Sequence, residues 1–149
     1  VVLTEGKNVL GIVKNLSVVP QKIEVLQEVG LDYVTLGQAA TTLSGGEAQR
    51  VGIVRAAINE PKILFADEPT GQLNSASGKD VLDIFTAIHN NGQSIVMVTH
   101  DLKTALRATR VIFLGDGNVV GEYRMPKYGD DDIKARRAGL QKFLDEMGW

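Results

Sequence analysis

The chain has 149 residues, 44% of them apolar and 23% charged, with no cysteine and a formal net charge of −2. That length supports one globular domain with its own core. The lack of cysteine excludes disulfides, thiolate metal sites and thiol nucleophiles, and the near-balanced charge excludes a global pull toward nucleic acid or anionic lipid. No run approaches the roughly 18 to 20 uninterrupted apolar residues of a membrane-spanning helix, and Val1 to Gly6 lacks the pattern of a signal peptide, so a cytoplasmic chain is expected.

In chain order, Val9, Leu10, Ile12, Val13 and Leu16, then Ile23, Val25, Leu26 and Val29, predict a mostly helical start, with Gly30 as a C-cap. Ser44-Gly45-Gly46-Glu47 opens a helix that carries Val51, Val54 and Ile58 and stops before Pro61. Ile63 to Ala66 is a short continuous apolar run, the pattern of a strand buried on both faces of a parallel sheet. Val81, Leu82, Ile84, Phe85 and Ile88 repeat at helical spacing from Gly78 to Asn91, and Ile95 to Val98 forms a second buried strand. A short helix from Asp101 to Arg107 and a strand from Val111 to Leu114 complete an alternation that predicts the α/β class, a parallel sheet with crossover helices. Asp116-Gly117 reads as a hairpin turn into residues 118 to 124. An acidic linker, Gly129 to Asp132, then leads to a final amphipathic helix with Ile133, Leu140, Phe143, Leu144 and Met147, expected to pack on its own domain.

Chemistry concentrates at three places. Asp67-Glu68 ends an apolar strand, and α/β sheets place ligands at the carboxyl edge of their strands. In that position Asp67 suits Mg²⁺ held largely through water, and Glu68 suits orienting and deprotonating a water that attacks a γ-phosphate; a surface acidic pair ending a strand is the plain alternative. Ser44, Gly45, Gly46, Glu47 and Gln49 lie at a helix start, where free amides and the helix dipole attract an anion, although Ser44 and Glu47 also spell a simple capping box. His100 follows one strand and precedes an Asp101 helix cap, which puts it at the same sheet edge as Asp67 and Glu68; His89, on the polar side of a helix, is expected to be merely solvated.

These motifs resemble the ATP-binding-cassette (ABC) ATPases over roughly residues 20 to 124. Leu43 to Arg50 matches that family's signature sequence, Ile63 to Thr70 its Walker B strand with the catalytic glutamate, Gly71 to Ser75 the loop that follows, and Val98 to Asp101 the switch region whose histidine contacts the γ-phosphate. The resemblance implies a P-loop NTPase-type parallel sheet with a helical subdomain. It also implies ATP and Mg²⁺ as cofactors, Glu68 and His100 as catalytic residues and Asp67 at the metal. Ser44, Gly45, Gly46, Glu47, Gln49 and Asn74 would face nucleotide held by a second ABC ATPase domain in a head-to-tail dimer. Transmembrane permease subunits would be the further partners, and the chain would sit peripherally on the inner face of the membrane. Residues 1–124 would be the C-terminal part of a nucleotide-binding domain, with 1–60 the helical and signature region and 61–124 running from Walker B to the last strands; residues 125–149 would be the linker and C-terminal helix.

Two departures matter. The family's Gly-x-x-x-x-Gly-Lys-Ser/Thr loop is missing, since neither Gly6-Lys7 nor Gly78-Lys79 sits in one, so the chain is expected to be a fragment that hydrolyses ATP negligibly by itself. Asn74 stands where many members carry aspartate, which keeps the hydrogen bonding but loses the charge; it also suits a plain cap or turn. Asp67 to Gly71, Ile95 to Val98 and Gly121 to Tyr123 resemble ATPase subunits of bacterial exporters and of peptide-resistance or lipoprotein-type transporters. Residues 29–51 also resemble the damage-recognition ATPase of nucleotide excision repair, the one reading under which nucleic acid would bind. A third reading is a non-catalytic remnant that only dimerises.

Overall fold

The computed structural model describes residues 30, 39–59 and 61–149. The helices expected before residue 39 lie outside the described residues; Gly30 itself has a φ of +66°, the left-handed conformation that suits a glycine C-cap. Helix α1 (Gly45–Ala57) starts at Ser44, whose hydroxyl accepts the Glu47 amide while the Glu47 carboxylate accepts the Ser44 amide, a closed capping box. Strand β1 (Ile63–Asp67) then runs parallel to β2 (Ser94–Val98), in a register that pairs Phe65 with Val96 and Asp67 with Val98.

Between them crosses α2 (Ser75–Asn90), which Asn74 caps by accepting the Ser77 amide at 2.9 Å. Its Val81 and Phe85 join Ile53 of α1 in one core, with Ala66, Leu73, Ile84, Ile88, Ile95 and Met97 packed against it. Ala66, Ile95 and Met97 come from one face of the strand pair. The other face carries Ile63, Phe65, Val96 and Val98, which remain exposed, Phe65 by 78% and Val98 by 62%. The continuous apolar run thus predicts burial on both faces, whereas the described residues cover one: side chains alternate along a strand, and α1 and α2 pack on the same side.

A single turn, α3 (Leu102–Ala105), capped by Asp101, leads to β3 (Arg110–Gly115) and β4 (Asn118–Arg124). The expected continuation of the parallel sheet through Val111 to Leu114 takes another form. Among the described residues β3 pairs only with β4, antiparallel, as a second two-stranded sheet. Asp116 and Gly117 have φ of 50° and 77°, the two positive values of a tight hairpin turn that folds the chain straight back on β3, as the Asp116-Gly117 pair predicts.

After a 3-10 turn at Asp130–Asp132, α4 (Ile133–Glu146) lies on this hairpin. Leu140, Phe143 and Leu144 bury with Leu106 and Met125, and the Phe143 ring stacks on Tyr123 at 5.3 Å between centroids. Two glycines allow the close approach: a Cβ on Gly121 would meet Met147 Sδ at 2.6 Å, and the Tyr123 hydroxyl fills the place of a Cβ on Gly139. The final helix therefore packs on its own chain, as its amphipathic pattern predicts. No helix among the described residues is long and apolar enough to cross a membrane.

Arg136 of α4 is 4% exposed, and its guanidinium donates to the carbonyls of Leu106 at 2.6 Å, Ala108 at 2.6 Å and Pro126 at 2.9 Å. It lies beside Asp132 at 3.6 Å and over the Tyr128 ring at 5.6 Å. A planar fork of donors meets carbonyls that would otherwise be buried without partners, so the arginine fastens the end of α3 and the stretch after β4 to the last helix. Arg136→Lys should therefore destabilise the chain by about 2 to 4 kcal/mol, because an ammonium cannot reach all these carbonyls and stays buried with its charge poorly matched. Urea denaturation of the two proteins measures this directly.

Candidate functional site at the carboxyl edge of the parallel strands

Parallel pairing of Asp67 with Val98 brings the ends of β1 and β2 to one edge, so residue 68 and residues 99 to 101 leave the sheet side by side. The Glu68 amide donates to the Val98 carbonyl at 2.9 Å, one bond beyond the strands, and Glu68 then takes a φ of +43°. Left-handed backbone costs a residue with a Cβ on the order of 1–2 kcal/mol. The Gly71 amide closes a turn onto the Glu68 carbonyl at 3.1 Å. This conformation turns the carboxylate toward the loop after β2.

There the carboxylate meets several donors at once. Oε1 accepts the His100 amide at 2.9 Å and the His100 ring Nδ1 at 2.6 Å, and Oε2 accepts the Thr99 hydroxyl at 3.2 Å. Partial burial opposes ionisation of Glu68. The hydrogen bonds from the His100 ring and amide, the ring's charge and the Thr99 hydroxyl outweigh that and hold the carboxyl below its ordinary range. Since an ionised carboxylate only accepts, Nδ1 of His100 carries the proton in this pair. The ring is 83% exposed.

Asp67, next to this network, is exposed, and its carboxylate makes no hydrogen bond or ion pair among the described residues. No group of three His, Cys, Asp or Glu that could hold a metal occurs among them either. A free carboxylate of this kind fits Mg²⁺, which keeps several waters and takes one or two carboxylates plus phosphate oxygens rather than a protein cage.

The second set lies at the start of α1. The Ser44 hydroxyl and Glu47 carboxylate are engaged in the capping box, and the amides of Gly45 and Gly46, at the first helical positions, have no partner within the helix. Gln49 is half-buried on the same helix. A Cβ on Gly45 would lie 3.5 Å from Leu73 Cδ2, and one on Gly46 would lie 3.0 Å from Ser77 Cβ. The double glycine thus admits the loop from Thr70 to Asn74 and the first turn of α2. That loop joins the two sets, because it begins beside Glu68 and contains Asn74, whose side chain serves here as the helix cap.

Sequence reasoning did not single out Thr70, Ser77, Thr99 or Thr104, although a hydroxyl two residues before the Asp101 cap was a usable signal for Thr99. His89 also differs from expectation. It is half-buried, and its Nδ1 lies 3.2 Å from the Gln93 carbonyl, because the turn after α2 folds back beneath it.

Comparison with known proteins adds the following. The family model "ABC transporter" matches residues 8–71. The chain is 50% identical over 109 residues to the macrolide export ATP-binding/permease protein MacB of Rhodospirillum rubrum, covering 72% of this chain and 17% of that protein. It is 53% identical over 98 residues to the lipoprotein-releasing system ATP-binding protein LolD of Aquifex aeolicus, covering 66% of this chain and 43% of the relative. A dimeric post-hydrolysis structure of the ATP-binding cassette MJ0796, bound to ADP and Pi, superposes with a TM-score of 0.61 at 33% identity, over 73% of this chain and 48% of that one. The chain spans less than half the length of each of these relatives.

The site has a pH signature that does not depend on nucleotide. Glu68 and Asp101 both titrate below their ordinary values; for Asp101, burial opposes this and the hydrogen bonds from Thr104 and the Lys103 amide prevail. A carboxylate depressed in the folded state contributes stability above its unfolded pKa and loses it as pH falls through the folded value. The urea midpoint should therefore fall as pH drops below the ordinary carboxylate range of about 4, and Glu68→Gln should make that acid limb shallower.

Proposed function

Since this chain belongs to the family of ATP-binding-cassette (ABC) transporter ATPases, we propose that it is the hydrolytic and signature-bearing portion of a transporter's ATP-binding subunit, which drives transport by ATP-dependent closure of a dimer. The observation that carries this reading is the Glu68 carboxylate, fixed by Thr99 and His100 at the edge of the parallel strands beside the free carboxylate of Asp67. In this reading Glu68 orients the attacking water and accepts its proton. The bonds from His100 hold Glu68 a weak base, and a ring that turns toward a γ-phosphate releases Oε1 for that proton.

Asp67 would hold Mg²⁺, which when bound neutralises charge developing on the phosphate oxygens. Ser44 and the amides of Gly45 and Gly46, with Glu47 and Gln49 beside them, would close over nucleotide carried by a second cassette in a head-to-tail arrangement; the dimeric structure of MJ0796 supports this. Asn74 would lie in the loop that communicates across that dimer. The names of the MacB and LolD relatives support an exporter or lipoprotein-type transporter over a repair ATPase. The MacB name also supports a membrane permease partner, which the subunit would meet on the inner face of the membrane.

A chimera that joins this chain to the P-loop portion of LolD tests the proposal. It should bind and hydrolyse Mg-ATP, whereas the chain alone should turn over almost none. Glu68→Gln in the chimera should lower kcat by about 10²- to 10⁴-fold with nucleotide binding retained. A chimera that binds ATP and turns it over equally well with glutamine at 68 would remove Glu68 from the chemistry.

A further inference from the structure

Thr104 is an unexpected residue to bury. It lies on α3 and is 2% exposed. Valine has the same shape and would fill the position without the desolvation cost of a hydroxyl, so the hydroxyl needs bonds to account for it.

Those bonds form a directed ring. The Thr104 hydroxyl donates to Asp101 Oδ2 at 2.9 Å, and the Thr104 amide donates to the same oxygen at 2.9 Å. With its single proton committed there, the hydroxyl is the acceptor in its 3.1 Å contact with Thr70 Oγ1, so Thr70 donates. The Asp101 amide in turn donates to Thr99 Oγ1 at 3.0 Å, and the Thr99 hydroxyl donates to Glu68 Oε2 at 3.2 Å. Thr70 stands two residues after Glu68, so the ring closes through the backbone. Glu68 is thereby held from both ends, by Thr99 at its carboxylate and by Thr70 along its own chain.

We propose that Thr104 is a positioning residue for Glu68: its hydroxyl, through Asp101 and Thr99 on one side and Thr70 on the other, sets where the Glu68 carboxylate stands. The proposal rests on the reading of Glu68 as the base, but the placement itself is measurable without nucleotide. The His100 amide reports on it, since it donates to Glu68 Oε1. Two further amides serve as controls: Leu106, bonded to the Leu102 carbonyl within α3, and Val81 in the core of α2.

Amide hydrogen exchange on the whole chain, followed by NMR, makes the test. In Thr104→Val, protection of the His100 amide relative to Val81 should fall at least about fivefold, the loss of one hydrogen bond's hold, while Thr104→Ser should retain it. Thr99→Val, which removes the last link and leaves α3 intact, should lower the same amide by a similar factor. If Thr104→Val loosens Leu106 and leaves His100 protected, Thr104 only staples α3 and the proposal is overturned. Equal protection in all variants overturns it as well. Neither result bears on whether Glu68 is the base, which the turnover of the chimera decides separately.

Discussion

A parallel pair of strands has both carboxyl ends at one edge, and here the register that sets Asp67 opposite Val98 makes the two departing loops neighbours. Glu68 and His100 are 32 residues apart in sequence, yet one ladder position brings the amide of the second onto the carboxylate of the first. Slipping β1 by one residue against β2 would turn Phe65 inward and carry Glu68 to the other side of the sheet. The core formed by Ile53, Val81 and Phe85 against Ala66, Ile95 and Met97 therefore does more than stabilise: it selects the pairing on which the site depends.

Given that register, the chain spends backbone strain and polar burial locally. Glu68 adopts a left-handed φ without being glycine, and Thr104 is buried without being apolar. Each departs from what local propensity favours, and both belong to one hydrogen-bonded ring, the pattern expected where a structure holds a side chain for chemistry rather than for packing. The far end of the described chain shows the contrast. Arg136 is buried too, but its hydrogen bonds run to backbone carbonyls of neighbouring segments, which it holds together.

Much of this was legible in the sequence because the signals were local and periodic. The α2 pattern, the Ser44 capping box, the Asp116-Gly117 turn and the two short apolar strands all rest on residues close in sequence, and each element forms where its pattern lies. Asp67, Glu68 and His100 could be brought to one edge from strand ends alone. The antiparallel partner of β3 was legible in the Asp116-Gly117 turn, whereas its place beside the parallel strands was not, because an apolar strand reads alike in either sheet. Among the described residues only one strand face is covered: composition says that Phe65 and Val98 are apolar, whereas the placement of α1 and α2 says which side these helices cover. Thr70, Thr99 and Thr104 carry no periodic signature, and the bonds of Thr70 to Thr104 and of Thr99 to Glu68 exist only once the loops are adjacent.

The approach of Gly46 to Ser77 has an evolutionary consequence. A methyl group at position 46 would press on the β-carbon of residue 77 at 3.0 Å, so either α1 must shift or residue 77 must shrink before position 46 can change. The two positions are thus sterically coupled, although they lie 31 residues apart. Among related chains, a side chain at the first should accompany a smaller residue at the second. A lineage that altered one alone would displace the start of α1 from the loop that follows Glu68, and so lose the alignment of two sites through a contact that involves no charge and no hydrogen bond.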